Sequence, residues 1–218
     1  MNTSETVFLF DVDNTLLDND RVTKDLKRFL DKEVGAERSS SYWAIFEELR
    51  SELGYADYLG ALQRYRIKHH FSANIIAVST FMVNYPFANR LFPNSLDVLE
   101  KCSELGTVVI LTDGDVVFQP RKIERSGLYE AVGGKILIYI HKETELADIE
   151  RRYPAERYIL VDDKVRILSS MKESWGDRLT TVFPRQGHYA FDAEQVAKYS
   201  TPDYTVERIG EVLDIEFS

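Results

Sequence analysis

The chain is 218 residues long, enough to bury a sizeable core as one large domain or as a domain carrying a substantial insertion. Its 27 Lys and Arg against 36 Asp and Glu give a formal charge of −9, which argues against broad binding to nucleic acids or anionic membranes. The single cysteine, Cys102, excludes an intrachain disulfide and a Cys-rich metal site. With a polar amino-terminal stretch and no apolar run near the ~20 residues of a membrane helix, it predicts a soluble cytoplasmic protein.

Residues 7–10 are apolar and run straight into Asp11 and Asp13. Side chains alternate along extended backbone, so both carboxylates are expected on one side of the carboxyl edge of a buried strand. Further apolar runs at 108–111, 136–140, 158–161 and 179–183 read as strands covered on both faces. Helical patterns at 95–105, 116–126, 143–153, 164–175, 193–199 and 206–213 supply crossovers and a tail. The fold class expected is therefore α/β, a doubly wound parallel sheet. Nearly a hundred residues separate the first run from the second, far more than one crossover helix uses. Leu26, Phe29, Leu30 and Val34, then Tyr42, Ile45, Phe46, Leu49 and Leu53, recur at helical spacing, followed by Tyr58, Leu62 and Tyr65 and by residues 75–83. These predict a bundle of about four helices over residues 20–92, inserted after the acidic loop as a lid on a core made of 1–19 and 93–218. Tyr42, Trp43 and Phe46 are assigned to the interior of that bundle.

Ligands in open α/β sheets bind at the carboxyl ends of the strands, and each strand offers polar groups there. Thr112, Asp113, Gly114 and Asp115 follow the second run, where a hydroxyl and backbone N–H groups can hold an oxyanion, although a helix cap is the simpler use of Asp115. His141 and Lys142 follow the third run, and a lysine there can balance both a carboxylate and a phosphoryl group. Asp162, Asp163 and Lys164 follow the fourth, and paired acids after a buried strand suit a hard divalent cation. Two unit charges ~4 Å apart repel by ~4 kcal/mol at an effective dielectric near 20. A whole domain is stable by only ~5–15 kcal/mol. Four carboxylates at one sheet edge therefore call for a cation and a lysine.

These four segments, Asp11-Val12-Asp13-Asn14-Thr15, Thr112, Lys142 and Asp162-Asp163, occur in the order and context of the motifs of the haloacid-dehalogenase superfamily, which the chain resembles over most of the core. The helical insertion resembles that family's cap of the first type. The resemblance implies that Asp11 is a nucleophile that becomes an aspartyl-phosphate and that Asp13 is the general acid and base. It implies Mg²⁺ held by Asp11, the backbone carbonyl of Asp13, and one or both of Asp162 and Asp163. Thr112 and Lys142 would hold the phosphoryl oxygens, and Asp113 and Gly114, in the same loop as Thr112, are expected to bind substrate with them. The acid at Asp13 separates phosphatases from true dehalogenases, because halide leaves carbon without a proton. The expectation is a Mg²⁺-dependent phosphohydrolase of a small-molecule phosphate monoester, a monomer or homodimer. A phosphomutase, a dehalogenase and a non-catalytic binding protein are the alternatives.

Lys122 competes with Lys142 for the third motif but falls inside a helical segment, where a solvated face is expected. The basic run Arg64-Tyr65-Arg66-Ile67-Lys68-His69-His70 reads as the wet face of a cap helix or as a lure for an anionic substrate. The 185–188 loop reads as a turn that could meet the lid or the substrate, and Asp18 as part of the hinge into the insertion.

Overall fold

The computed structural model describes residues 4–70 and 74–217. Its sheet has six parallel strands, β1 (Ser4–Phe10), β2 (Thr107–Asp113), β3 (Ile136–Tyr139), β4 (Ala155–Val161), β5 (Leu179–Pro184) and β6 (Tyr204–Val206), in the order β3-β2-β1-β4-β5-β6. β1 is central and apolar on both sides. Phe8 and Phe10 enter one hydrophobic cluster, Val7 and Leu9 the other, as a period of two requires.

Among the described residues, four α-helices intervene between β1 and the first crossover: α1 (Asn19–Val34), α2 (Ala36–Leu53), α3 (Tyr58–Lys68) and α4 (Asn74–Asn84). The crossover itself is α5 (Ser95–Leu105). The pairs α6 (Phe118–Ser126) and α7 (Leu128–Ala131), α8 (Leu146–Arg152), α9 (Val165–Trp175), and α10 (Gly187–Ala190) with α11 (Ala193–Val196) link the later strands. Val98 and Leu99 of α5 and Ile123 of α6 cover one face of the sheet. Ile149 of α8 and Ile167, Leu168 and Met171 of α9 cover the other. This is the doubly wound arrangement expected.

The inserted helices share the first of these clusters. Leu26, Tyr42, Phe46, Tyr58 and Met82 are continuous with Phe87 and Phe118 and so with the sheet. The chain passes into and out of the insertion through one short stem. The Asp18 N–H donates to Arg90 O at 2.8 Å, the Phe92 N–H to Leu16 O at 2.9 Å, and Leu17 faces Leu91 in an antiparallel bridge. Asp18, expected in the hinge, also accepts the Arg21 N–H at 2.8 Å and so caps α1.

Two expectations at the carboxyl end are corrected. The segment 206–213 is not a helix: Val206 ends β6, and only a 3₁₀ turn, Ile209–Asp214, follows. Asp203 decides this, since its carboxylate accepts both the N–H and the hydroxyl of Thr181 at 2.8 Å and sets Tyr204 beside Val182. The helix expected over 193–199 stops at Val196. Helix α8 also starts later than expected, after a 3₁₀ turn at Lys142–Thr144, and Ile140 lies exposed beyond β3. Among the described residues, no helix is long and apolar enough to cross a membrane.

Candidate active site

Register brings the acids together. β1 and β4 are neighbours with Phe10 beside Val161, so the next residue of each strand, Asp11 and Asp162, sits at the same level of the carboxyl edge. The Asp11 N–H still donates to Val161 O at 3.0 Å, and the Asp162 N–H to Val182 O at 3.2 Å. Each carboxylate is thus fixed by the sheet. One oxygen from each of Asp11, Asp162 and Asp163 lies within 4.8 Å of the others, and all three residues are buried.

Lys142 enters from the β3 side, fully buried. Its Nζ donates to Asp11 Oδ1 at 2.6 Å and to Leu111 O at 3.1 Å. The same nitrogen stands 2.6 Å from Asp162 Oδ2, an ion pair without hydrogen-bond geometry. The Lys142 N–H donates to Asp113 Oδ1 at 2.8 Å, so Asp113 fixes the loop that delivers the ammonium. Burial opposes charge on Lys142, but Asp11, Asp162 and Asp113 outweigh it and hold the ammonium well above its ordinary pKa. Burial likewise opposes charge on Asp11, yet Lys142 and Lys164 keep it below the usual carboxylate range.

Asp163 is different. It is 1% exposed, and among the described residues neither of its carboxylate oxygens has a hydrogen-bond partner. Burial, opposed by Lys164 and reinforced by Asp162 and Asp11, pushes it well above the carboxylate range, and burial pushes Asp162 up to about 6. Buried polar groups are nearly always satisfied. Two orphaned oxygens beside two further carboxylates form a donor set that fits a hard divalent cation. Lys164, half-buried, supplies the second positive charge of the cluster, and Asp11, Asp163 and Asp162 raise its pKa against burial. Thr15 ties the two strand ends together: its Oγ1 accepts the Asp163 N–H at 3.0 Å and stands 3.4 Å from Asp11 Oδ2.

Above the cluster lies a cleft of about 1010 Å³. Asp13, Asp113, Gly114 and Lys164 line its core side, and Trp43, Phe46, Arg50, Tyr55 and Tyr58 its helical side. Trp43 and Phe46 were expected wholly inside the bundle; Phe46 is buried in it, but both also face the cleft.

Other expected residues fall as follows. Thr112 is buried, and its Oγ1 accepts from Gln119 Nε2 at 3.0 Å. The Gly114 N–H donates to Tyr139 O at 2.9 Å, prolonging the sheet, so this amide is not the free oxyanion donor expected. Asp115 Oδ1 accepts the N–H groups of Val117 and Phe118 at 2.7 and 2.6 Å, the cap foreseen. The Asp13 carboxylate stands outside the acid cluster and accepts from Lys122 Nζ at 2.5 Å. Lys122 is therefore not on a solvated face, as its helical setting suggested: it is 0% exposed, because α6 turns this residue inward to the cleft.

Arg64 pairs with Glu52 at 2.8 Å, and none of residues 64–70 lines the cleft. The 185–188 loop does meet the inserted helices. The His188 N–H donates to Asp20 Oδ2 at 2.9 Å, and His188 Nδ1 is 2.6 Å from Asp20 Oδ1. Neighbouring Tyr189 hydrogen-bonds Arg50 of α2 and lies 5.3 Å beneath Lys164 Nζ. Gly187 (φ +70°) lets the loop approach Asn14, since a Cβ there would meet the Asn14 Cβ at 2.4 Å.

The fold and site define a class, a doubly wound parallel α/β protein with a buried acid cluster and a lysine at the carboxyl edge of its sheet. The chain belongs to the haloacid dehalogenase-like hydrolases, which it matches over residues 6–174. A protein of Burkholderia xenovorans LB400 described as a haloacid dehalogenase-like hydrolase is 55% identical, with 98% of this chain and 99% of that one covered and a TM-score of 0.94. The magnesium-bound hydrolase YfnB of Bacillus subtilis is similar in fold at 15% identity, with 96% and 97% covered and a TM-score of 0.64. The L-2-haloacid dehalogenase of Xanthobacter autotrophicus is similar at 16% identity, with 94% and 96% covered and a TM-score of 0.61. None of the curated proteins matches the chain.

Proposed function

We propose that the protein is a Mg²⁺-dependent phosphohydrolase that cleaves a small-molecule phosphate monoester through a phosphorylated Asp11. The observation that carries this reading is the pair of carboxylates after β1 in two different settings: Asp11 buried against Lys142, Asp13 beside the cleft with Lys122. Asp11, held ionised, is a nucleophile ready at neutral pH. Asp13 gives a proton to the departing alkoxide in the first displacement and takes one from the attacking water in the second. Lys142, with Thr112 as hydroxyl donor, balances charge on the phosphoryl oxygens.

Asp11, Asp162 and Asp163, with the Asp13 carbonyl, would hold the Mg²⁺. Bound there, the ion supplies positive charge that offsets the phosphoryl group and orients it. Helices α1–α4 act as a cap over the cleft that excludes water and selects the alcohol half of the ester. The net charge of −9 favours a small ester over a nucleic acid. Dehalogenation is the second reading, favoured by likeness in fold to a dehalogenase. It gives Asp13 nothing to do, since halide departs unprotonated.

A panel of phosphate monoesters and 2-haloacids, assayed with and without Mg²⁺ beside Asp11→Asn, tests the proposal. Phosphate release that needs both Asp11 and Mg²⁺ is expected. Equal release by wild type and Asp11→Asn refutes it.

A further inference from the structure

Lys122 is a buried ammonium that the reaction outlined above leaves without a task. It projects from α6, is 0% exposed, and reaches the Asp13 carboxylate rather than the acid cluster. Its Nζ donates to Asp13 Oδ1 at 2.5 Å and to Asn19 Oδ1 at 3.0 Å, and lies 5.2 Å from the centre of the Phe118 ring. With a carboxylate, an amide oxygen and an aromatic face around it, the ammonium has one place to sit. A lysine stem has many rotamers, and burial here leaves it one.

The consequence falls on Asp13. Its carboxylate is a quarter exposed and lines the cleft, so without a partner it would turn freely about its side-chain bonds. The contact with Lys122 occupies Oδ1. Among the described residues none bonds Oδ2, which is thereby the oxygen left to face the cleft. The same face of α6 serves a second site residue one turn earlier: Gln119 Nε2 donates to Thr112 Oγ1 at 3.0 Å. That hydroxyl accepts from Gln119 and makes only a long bond, 3.4 Å, as donor to Asp113 O, so its orientation is set by α6. Gly114 makes this possible, since a Cβ there would lie 2.5 Å from the Gln119 Cβ.

Resting on the phosphohydrolase reading, we propose that Lys122 is a positioning residue of the reaction: it holds Asp13 by Oδ1, so that Oδ2 exchanges protons with the leaving oxygen and then with water. No bond is made to Lys122 itself. The proton leaves Asp13 Oδ2 for the alkoxide in the first displacement and returns to it from water in the second. A group misplaced by about 1 Å can lose about 10²-fold in rate.

The test is a double-mutant cycle of K122M and D13N, with turnover measured on an alkyl phosphate and on p-nitrophenyl phosphate, whose phenolate departs without a proton. K122M is expected to lower kcat on the alkyl ester by about 10²-fold, with KM little changed and a smaller loss in the first, phenolate-releasing burst. In the D13N background K122M should cost nothing further, because the oxygen it positions no longer carries the proton. Thermal melts accompany each variant, and K122Q is read in place of K122M should the latter not fold. Equal losses on both esters and in both backgrounds would mean a merely structural lysine and overturn the assignment, as would an unimpaired K122M. Wild type is assayed first. If inert toward every ester it refutes the phosphohydrolase reading and this assignment together, whereas an active, Asp11-dependent wild type with a normal K122M overturns this assignment alone.

Discussion

Asp163→Asn should make the metal-free protein more stable. The wild-type carboxylate is buried with both oxygens unpartnered, close to Asp11 and Asp162. An unsatisfied buried group costs about 1–3 kcal/mol, and more when charged, whereas the amide keeps the shape without the charge. A gain of about 2 kcal/mol corresponds to about 4–8 °C in Tm for a chain of this size. The sign with pH follows from the raised pKa. The folded protein binds the proton more tightly than the unfolded chain, so the favourable contribution is full below 3.8 and is lost as pH rises through the higher folded value. The advantage of Asp163→Asn in EDTA should therefore grow from acid toward neutral pH. With Mg²⁺ the order reverses, since the wild type gains about 2.7 kcal/mol at a hundred times Kd and the variant gains little. Thermal melts in EDTA and in saturating Mg²⁺, across pH, read all of this. A variant that melts below wild type in EDTA, or that Mg²⁺ stabilises as strongly, would refute the reasoning.

Lys142→Met should destabilise by about 3–5 kcal/mol in urea titrations without metal, because it leaves Asp11 and Asp162 buried without their shared cation; Mg²⁺ should restore part of the loss. Gly114→Ala should cost about 1–3 kcal/mol through overpacking against Gln119 and raise KM by turning the Thr112 hydroxyl, and an unchanged KM would count against Thr112 as a phosphoryl ligand. For Asp20, burial is outweighed by the hydrogen bond and charge of His188 and by Asn14, which together lower its pKa. Its contribution is therefore present above 3.8 and lost as pH falls through the lower folded value. The protection factor of the His188 amide, the exchange rate of an unstructured amide at the same pH divided by its own, should be high at neutral pH and fall below about pH 4, and Asp20→Asn should abolish that fall.

The sheet and its acids were legible because they rest on local pattern. Near-continuous apolar runs mark buried parallel strands, and two adjacent strands that both end in aspartates must bring those aspartates together. What escaped depended on long-range contacts. Lys122 and Gln119 occupy one face of a polar helix, and spacing alone does not say whether that face meets water or a cleft. β6 is three residues long and exists because Asp203 anchors it to Thr181, 22 residues away. Lys164 was visible beside Asp162 and Asp163, but its hold on Asp11 follows from the fold of the turn. The 185–188 loop carried no signal for Asp20, its partner 168 residues away.

The stem at Leu16–Asp18 and Arg90–Phe92 has a topological consequence. The seventy-odd residues between its two sides form an excursion that departs and returns at neighbouring points, so the sheet would keep its strand order if a tight turn joined Asp18 directly to Arg90. Such a chain would bare Phe118, which now packs against Tyr58 of α3. Any segment grafted onto the stem, by engineering or by descent, thus inherits one fixed demand, a greasy underside. Its outer surface and its lining of the cleft are left to vary.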